Sequence, residues 1–284
     1  MSVTSQQPSP SFPILSFTLC TLSAFFLAHA LATSRATPGL SPHAPAPHPP
    51  SGILRVALLG DSITLGQMCS SGGYGKFLAP ALGARHYHVA SFCDNGKTML
   101  RTDPATNATI ALDGKLLPFV EAQLWADARA FDAEVYVTML GTNDASTWWG
   151  EGAYTRAYAD FITTLRAQPA APTVFVVAPP PTYNDSPFLF INHSVTNEVL
   201  PLRTLPALCA ATGAPLIDVF NALGGRNISG FVVGDFFCDG IHPWPAGSDR
   251  IARVVYRALW RRLVVGEGWP PFEQGAAFFE GVPE

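Results

Sequence analysis

The chain has 284 residues, enough for one large α/β domain, and its mean hydropathy of +0.21 comes with only 13% charged side chains, about half the share usual for soluble proteins. Its only apolar run near 20 residues long is at the N-terminus, which excludes a multi-span membrane protein. A net charge of −4, no basic cluster beyond Arg261-Arg262 and 48% hydrophobic content argue against nucleic-acid binding and against disorder of the whole chain.

The stretch Phe12–Ala32 is apolar and ends in Ala28-His29-Ala30-Leu31-Ala32, with two A-x-A registers. That layout predicts a secretory signal peptide over residues 1–32, although no Lys or Arg precedes the apolar run. The rival reading is an uncleaved signal anchor. Residues 33–51 are rich in Pro and Ala and read as an extended linker, in which His43 and His48 have no ligand-like neighbours. Residues 52–284 are expected to form one domain with a C-terminal tail from about 265.

Of eight asparagines, Asn107, Asn184, Asn192 and Asn227 begin N-x-S/T sequons, more than chance spacing supplies. Cys69, Cys93, Cys209 and Cys238 lie beyond the leader, an even number that suits two disulfides in an oxidising compartment, with three possible connectivities. A secreted or secretory-lumen glycoprotein is the expectation. No C-x-x-C spacing points to zinc.

From Gly52 onward, apolar runs alternate with helical stretches. Leu54–Leu59, His88–Phe92, Glu134–Leu140, Thr173–Ala178 and Pro215–Val219 read as strands buried on both faces. Helices are expected near 74–82, 118–130, 152–167, 198–211 and 246–263, with Pro80, Pro201 and Pro206 interrupting two of them. In the last, Ile251, Val254, Val255, Ala258, Leu259 and Leu263 share a face opposite Arg250, Arg253, Arg257 and Arg261. Five β/α units predict a parallel, doubly wound sheet, whose ligand site lies beyond the carboxyl ends of the strands.

The segments after those strands carry reactive side chains. Strand one runs into Gly60-Asp61-Ser62-Ile63-Thr64, where Ser62 is either a nucleophile or a helix N-cap. Gly96 follows strand two in an Asn-Gly turn and can offer its backbone N–H. After strand three, Asn143 in Gly141-Thr142-Asn143-Asp144 can donate a side-chain N–H or cap the next segment. After strand five comes Asp239-Gly240-Ile241-His242, whose spacing lets a carboxylate fix an imidazole tautomer. A nucleophile, two oxyanion donors and a base with its orienter are what acyl transfer through a covalent intermediate requires. Glycine-rich phosphate or dinucleotide fingerprints are absent.

In order and spelling these blocks resemble the SGNH (GDSL-type) hydrolase superfamily over about residues 52–263. The resemblance implies a flavodoxin-like three-layer αβα sandwich with a five-stranded parallel sheet in the order 2-1-3-4-5. It implies Ser62 as nucleophile, Asp239 and His242 as its partners, and the Ser62 N–H, Gly96 and Asn143 as the oxyanion hole. No metal or other cofactor is called for. The second block departs from the common N-x-G-x-S-G pattern: Ser91, Cys93 and Asn95 stand there and only Gly96 is kept.

Met139–Asp144, Ala178–Tyr183 and Asn197–Pro201 are most similar to the sialate O-acetylesterase-like and related carbohydrate esterase branch. An acylated carbohydrate, with an O-acetyl ester, is the implied substrate. Trp148, Trp149, Phe188 and Trp244 fall in rim segments and are candidates to stack on sugar rings, or else simply pack. A lipid esterase or lysophospholipase of the same fold, and a glycan O-acetyltransferase, are the alternatives. Because Cys69 and Cys93 follow neighbouring strands and Cys238 precedes Asp239, the expected bridges are 69–93 and 209–238.

Overall fold

A computed structural model describes residues 52–67, 69, 72–101, 116–183, 191–227 and 236–280, all within one unit spanning His43–Glu284. The leader and linker readings, and Asn107, Asn184 and Phe188, lie outside the described residues.

Five strands form a parallel sheet: β1 (Leu54–Gly60), β2 (Tyr87–Cys93), β3 (Val135–Met139), β4 (Thr173–Ala178) and β5 (Leu216–Asp218). Their order is β2-β1-β3-β4-β5, as the family resemblance implies. The helices are α1 (Ser62–Leu65), α2 (Gly75–Leu82), α3 (Gln123–Phe131), α4 (Glu151–Arg166), α5 (Leu205–Thr212), α6 (Val219–Ala222) and α7 (Pro245–Leu259). One layer pairs α2 with α7; the other holds α3, α4 and α5, with Trp125 of α3 stacked on Phe161 of α4 at 4.8 Å. Together they make the three-layer α/β sandwich.

Hydrophobic runs place β1, β3 and β4 in the centre, where helices cover both faces and nearly every residue is buried. Arg55 of β1 is tolerated because its guanidinium meets Glu134 at 2.7 Å. Burial on both faces does not extend to β2, whose residues are mostly half-buried or exposed. It is an edge strand, paired on one side only, and its outer flank has less to pack against.

Prolines shape one helical layer. The expected helix at 198–211 begins earlier and winds as a π-helix over Val195–Thr204 before tightening into α5. Pro201 cannot donate an amide and crowds the preceding turn, and the wider winding gives its ring room. α7 opens on Pro245, where a missing amide costs nothing, and buries Ile251, Val255 and Leu259. Its arginine face is not left to solvent: Arg253 donates to the Phe278 carbonyl at 2.6 Å and lies over that ring at 4.7 Å. The tail expected from about 265 thus packs as part of the domain, with Trp269 and Phe272 buried.

The order in which strands are added to the sheet reverses at β1, since β2 lies to one side of it and β3 to the other. The crevice beyond the carboxyl ends of β1 and β3 is therefore where a ligand is expected. Ser62 directly follows β1 by one residue's interval, and Asn143 lies just past β3.

Candidate active site

Gly60 ends β1 because a Cβ there would run into the Thr64 hydroxyl and lie 2.9 Å from the Met139 carbonyl oxygen of β3. This close approach turns the chain sharply into α1. The N-cap of α1 is Asp61, whose Oδ1 accepts from the Ile63 amide at 2.9 Å. Ser62 is consequently the first helical residue and not the cap, and its hydroxyl is left for another partner. That partner is His242: Ser62 Oγ lies 2.9 Å from Nε2.

The imidazole is held from behind. His242 Nδ1 and Asp239 Oδ2 are 2.7 Å apart, while Asp239 Oδ1 accepts from the amides of Ile241 at 3.0 Å and His242 at 2.7 Å. One carboxylate oxygen thus folds the loop and the other orients the ring. Burial opposes ionisation of Asp239, but the hydrogen bonds from the His242 ring and from these two amides outweigh it and hold the carboxyl below its usual range. An Asp-His-Ser line with this spacing can pass the serine proton to the imidazole while the carboxylate stabilises the imidazolium.

The two residues that the family resemblance implies as further oxyanion donors lie in the turns after β2 and β3. Gly96 adopts φ +66°, the left-handed region that favours glycine, in the turn after β2. Asn143 starts the short 3₁₀ turn after β3, and its Nδ2 donates to Asp61 Oδ2 at 3.2 Å and to the Lys97 carbonyl at 3.1 Å. The family resemblance implies that this amide serves an oxyanion. The expected result for Asn143→Ala is a fall in kcat of about 10²–10³, the usual effect of one lost oxyanion donor, measured by steady-state hydrolysis of a short-chain ester. A loss of less than about fivefold would remove Asn143 from the oxyanion hole.

Residues outside the five candidate positions hold this arrangement. Asp61 is fully buried, and desolvation pushes its carboxyl up to about 7 despite the Ile63 amide. Asp144, also buried and raised to about 6 by desolvation, accepts from the Met99 amide at 3.0 Å and the Leu100 amide at 2.8 Å. It ties the segment after Gly96 to the turn after β3. Lys97, directly after Gly96, buries its side chain and meets Asp94 at 2.9 Å, an ion pair that spans the Gly96 turn. The Tyr183 amide donates to the Gly240 carbonyl at 3.0 Å, anchoring the Asp239–His242 loop to the segment after β4. In the sequence, acids beside each candidate donor in a chain so poor in charge were the available signal for Asp61 and Asp144. Nothing in the sequence pointed to Lys97 or Tyr183.

The cysteines pair differently from expectation. Cys69 is joined to Cys238, with Cα atoms 6.1 Å apart, and Cys93 and Cys209 are free. Gly66, left-handed at φ 77°, reverses the chain after α1 and leads Cys69 back toward the loop that carries Asp239. Cys93 faces Gly60 across the β1–β2 ladder, where burial raises its thiol to about 12. Cys209 sits on α5, its thiol raised to about 11 by burial. Among the described residues, the one His/Cys/Asp/Glu group close enough to share an ion is Cys69, Cys238 and Asp239, and the disulfide consumes two of those ligands.

Of the aromatic candidates, Trp148 and Trp149 are half-buried and pack on the core, Trp148 against Tyr154 at 5.4 Å. Trp244 stays open to solvent. Asn192 and Asn227 are both exposed; Asn192 Oδ1 accepts from the Ser194 amide at 3.1 Å.

The sequence matches the GDSL-like lipase/acylhydrolase family over residues 58–250, a span that includes all five candidate positions. An acetylxylan esterase of Xylanibacter ruminicola is 28% identical over 236 residues, covering 75% of this chain and 44% of that protein. A multidomain esterase of Ruminococcus flavefaciens is 27% identical over 259 residues, covering 84% of this chain and 33% of its own length. The chain thus spans less than half the length of both relatives. Among solved structures, the lipase/acylhydrolase of Enterococcus faecalis shares the fold with a TM-score of 0.56 at 17% identity, over 74% of this chain and 97% of that one. The family match, covering most of the folded part and every rim loop of the site, establishes that the chain belongs to the GDSL-like lipase/acylhydrolase family.

Proposed function

We propose that the chain is a serine esterase that removes O-acyl groups, acetyl above all, from carbohydrates through an acyl-Ser62 intermediate. The observation that carries this reading is the continuous hydrogen-bonded line from Asp239 through His242 to Ser62 in the crevice of the sheet. The acetyl and carbohydrate parts rest on the likeness to an acetylxylan esterase.

In this scheme Ser62 Oγ attacks the ester carbonyl as His242 Nε2 takes its proton. Asp239 keeps the Nδ1 proton in place and balances the imidazolium charge. The oxyanion is received by the amides of Ser62 and Gly96 and by Asn143. His242 then gives its proton to the leaving alcohol, the carbonyl re-forms, and Ser62 is left acylated. A water, deprotonated by His242, attacks the acyl-enzyme, and the imidazolium returns that proton to Ser62 Oγ as the acid is released.

Secretion fits the same reading. The Cys69–Cys238 bridge belongs to an oxidising compartment, and Asn192 and Asn227 offer exposed sequons. No helix among the described residues is long and apolar enough to cross a membrane.

The test is acetate release across acetylated xylan, pectin, O-acetylated sialic acid and simple sugar acetates, alongside p-nitrophenyl esters of increasing chain length. Turnover of at least one acetylated carbohydrate and a sharp preference for two- to four-carbon acyl groups are expected. Preference for acyl chains of eight or more carbons would overturn the acetyl reading and favour a lipid esterase.

A further inference from the structure

The ribbon that carries His242 also carries a tryptophan. Residues 236–238 and 242–244 pair antiparallel: the Cys238 amide donates to the His242 carbonyl at 3.0 Å and the Trp244 amide to the Phe236 carbonyl at 2.8 Å. Between these bonds Phe237 and Pro243 form a bridge, side by side on one face. Phe237 is buried there, its ring edge-on to Tyr183 at 5.1 Å. Side chains alternate along such a ribbon, so His242 and Trp244 leave by the opposite face, about 6–7 Å apart along the chain. On that face the His242 ring reaches Ser62 Oγ at 2.9 Å.

The backbone of Trp244 is fixed in place and the residue is open to solvent. The Ser248 amide donates to its carbonyl at 2.9 Å as α7 begins, and Gly247 lets the ribbon backbone lie against the helix where a Cβ would strike the Phe236 carbonyl. The residue is nonetheless 40% exposed, and it is the only aromatic among the exposed large hydrophobic residues described. Trp148 and Trp149, by contrast, are committed to packing.

Chemistry then decides what an indole at this position can meet. His242 has to hand its proton to the departing alcohol, so the alcohol half of the ester lies on the His242 side. In the proposed scheme the carbonyl oxygen turns toward Gly96 and Asn143, and the acyl chain leaves the carbonyl carbon in a direction different from the departing alcohol. An aromatic platform on the same face as the imidazole is therefore suited to meet the leaving group rather than the acyl chain. We propose that Trp244 is a specificity residue for the alcohol half of the ester, stacking its indole on the apolar face of a pyranose ring. This deepens the reading of a carbohydrate esterase and rests on it.

The experiment compares kcat/KM for an acetylated xylo-oligosaccharide and for ethyl acetate, which pass through the same acetyl-Ser62, in the wild type, Trp244→Ala and Trp244→Phe. A p-nitrophenyl series from acetate to octanoate is run in parallel. Trp244→Ala is expected to lower kcat/KM for the oligosaccharide about three- to tenfold, the range of one aromatic contact, while ethyl acetate and the acyl-length profile stay unchanged. Trp244→Phe should restore most of the loss. An equal loss on ethyl acetate would mark Trp244 as structural, and a changed acyl-length profile would place it in an acyl groove; either outcome, or no loss on the oligosaccharide, overturns the proposal. If the wild type hydrolyses ethyl acetate and no acetylated carbohydrate, the carbohydrate reading itself fails and takes this assignment with it, a result visible without any variant.

Discussion

Ser62→Ala is expected to lower kcat by about 10⁶, the loss seen when the nucleophile of a serine hydrolase is removed, while leaving the fold intact. The hydroxyl is nearly buried and its recorded partner is His242 Nε2 at 2.9 Å, so its removal costs one hydrogen bond at the rim. The cap of α1 is untouched, because Asp61 supplies it. Alanine suits the first turn of a helix, and unfolding temperature should change little. The decisive measurement is intact mass after brief incubation with an activated acetate ester, followed by a fluorophosphonate probe. The wild type should gain one acetyl group and label with the probe; the variant should do neither. Retention of more than about 1% of wild-type turnover would place the reaction elsewhere, since binding and the oxyanion hole alone leave a far smaller remainder.

The site was legible in the sequence to the extent that its chemistry is local. Asp239 and His242 sit in one short loop, and the spacing of the pair already implied a carboxylate against an imidazole; the structure supplies that contact at 2.7 Å. Ser62, Gly96 and Asn143 each follow a strand, and a parallel sheet brings such positions to one rim whatever the intervening sequence. Central strands were legible for a related reason. Being covered on both faces, β1 and β3 show nearly continuous apolar runs, whereas β2 hides its edge position because nothing local distinguishes a largely apolar edge strand from a central one.

What depends on distant partners was not legible. The disulfide links residues 169 apart, and its choice of Cys238 for Cys69 follows from the left-handed reversal at Gly66 and the course of the Asp239 loop. Asp61 reads equally well as a solvent-exposed turn acid; only burial beneath Asn143 raises its carboxyl and makes it a holder of that amide. Asp144 reaches across to Met99 and Leu100, some 45 residues away. The π-helical turn at Pro201 is a compromise between a local helix-breaking residue and a layer that needs a helix there.

Asp239→Asn carries the second largest expected effect, a fall in kcat of about 10⁴ with the loop still folded. The two carboxylate oxygens have separate duties. Oδ1 accepts from the Ile241 and His242 amides, and an asparagine oxygen can take that place. Its NH₂ group then occupies the position of Oδ2, 2.7 Å from His242 Nδ1. An amide donor there forces Nδ1 to accept, the ring proton moves to Nε2, and His242 can no longer receive the proton of Ser62. Asp239→Ala removes both duties and should also lower stability by about 1–3 kcal/mol, as two amides lose their acceptor. The acid dependence separates structure from catalysis. Because the folded-state pKa of Asp239 is depressed, its contribution to stability is present above the unfolded carboxylate value and fades as pH falls through the folded one. The gap in unfolding temperature between wild type and Asp239→Asn should therefore be largest near neutral pH and close in acid, while the kcat defect persists at the pH of the assay. A variant that keeps more than about a tenth of wild-type kcat would show that His242 is oriented by something other than Asp239.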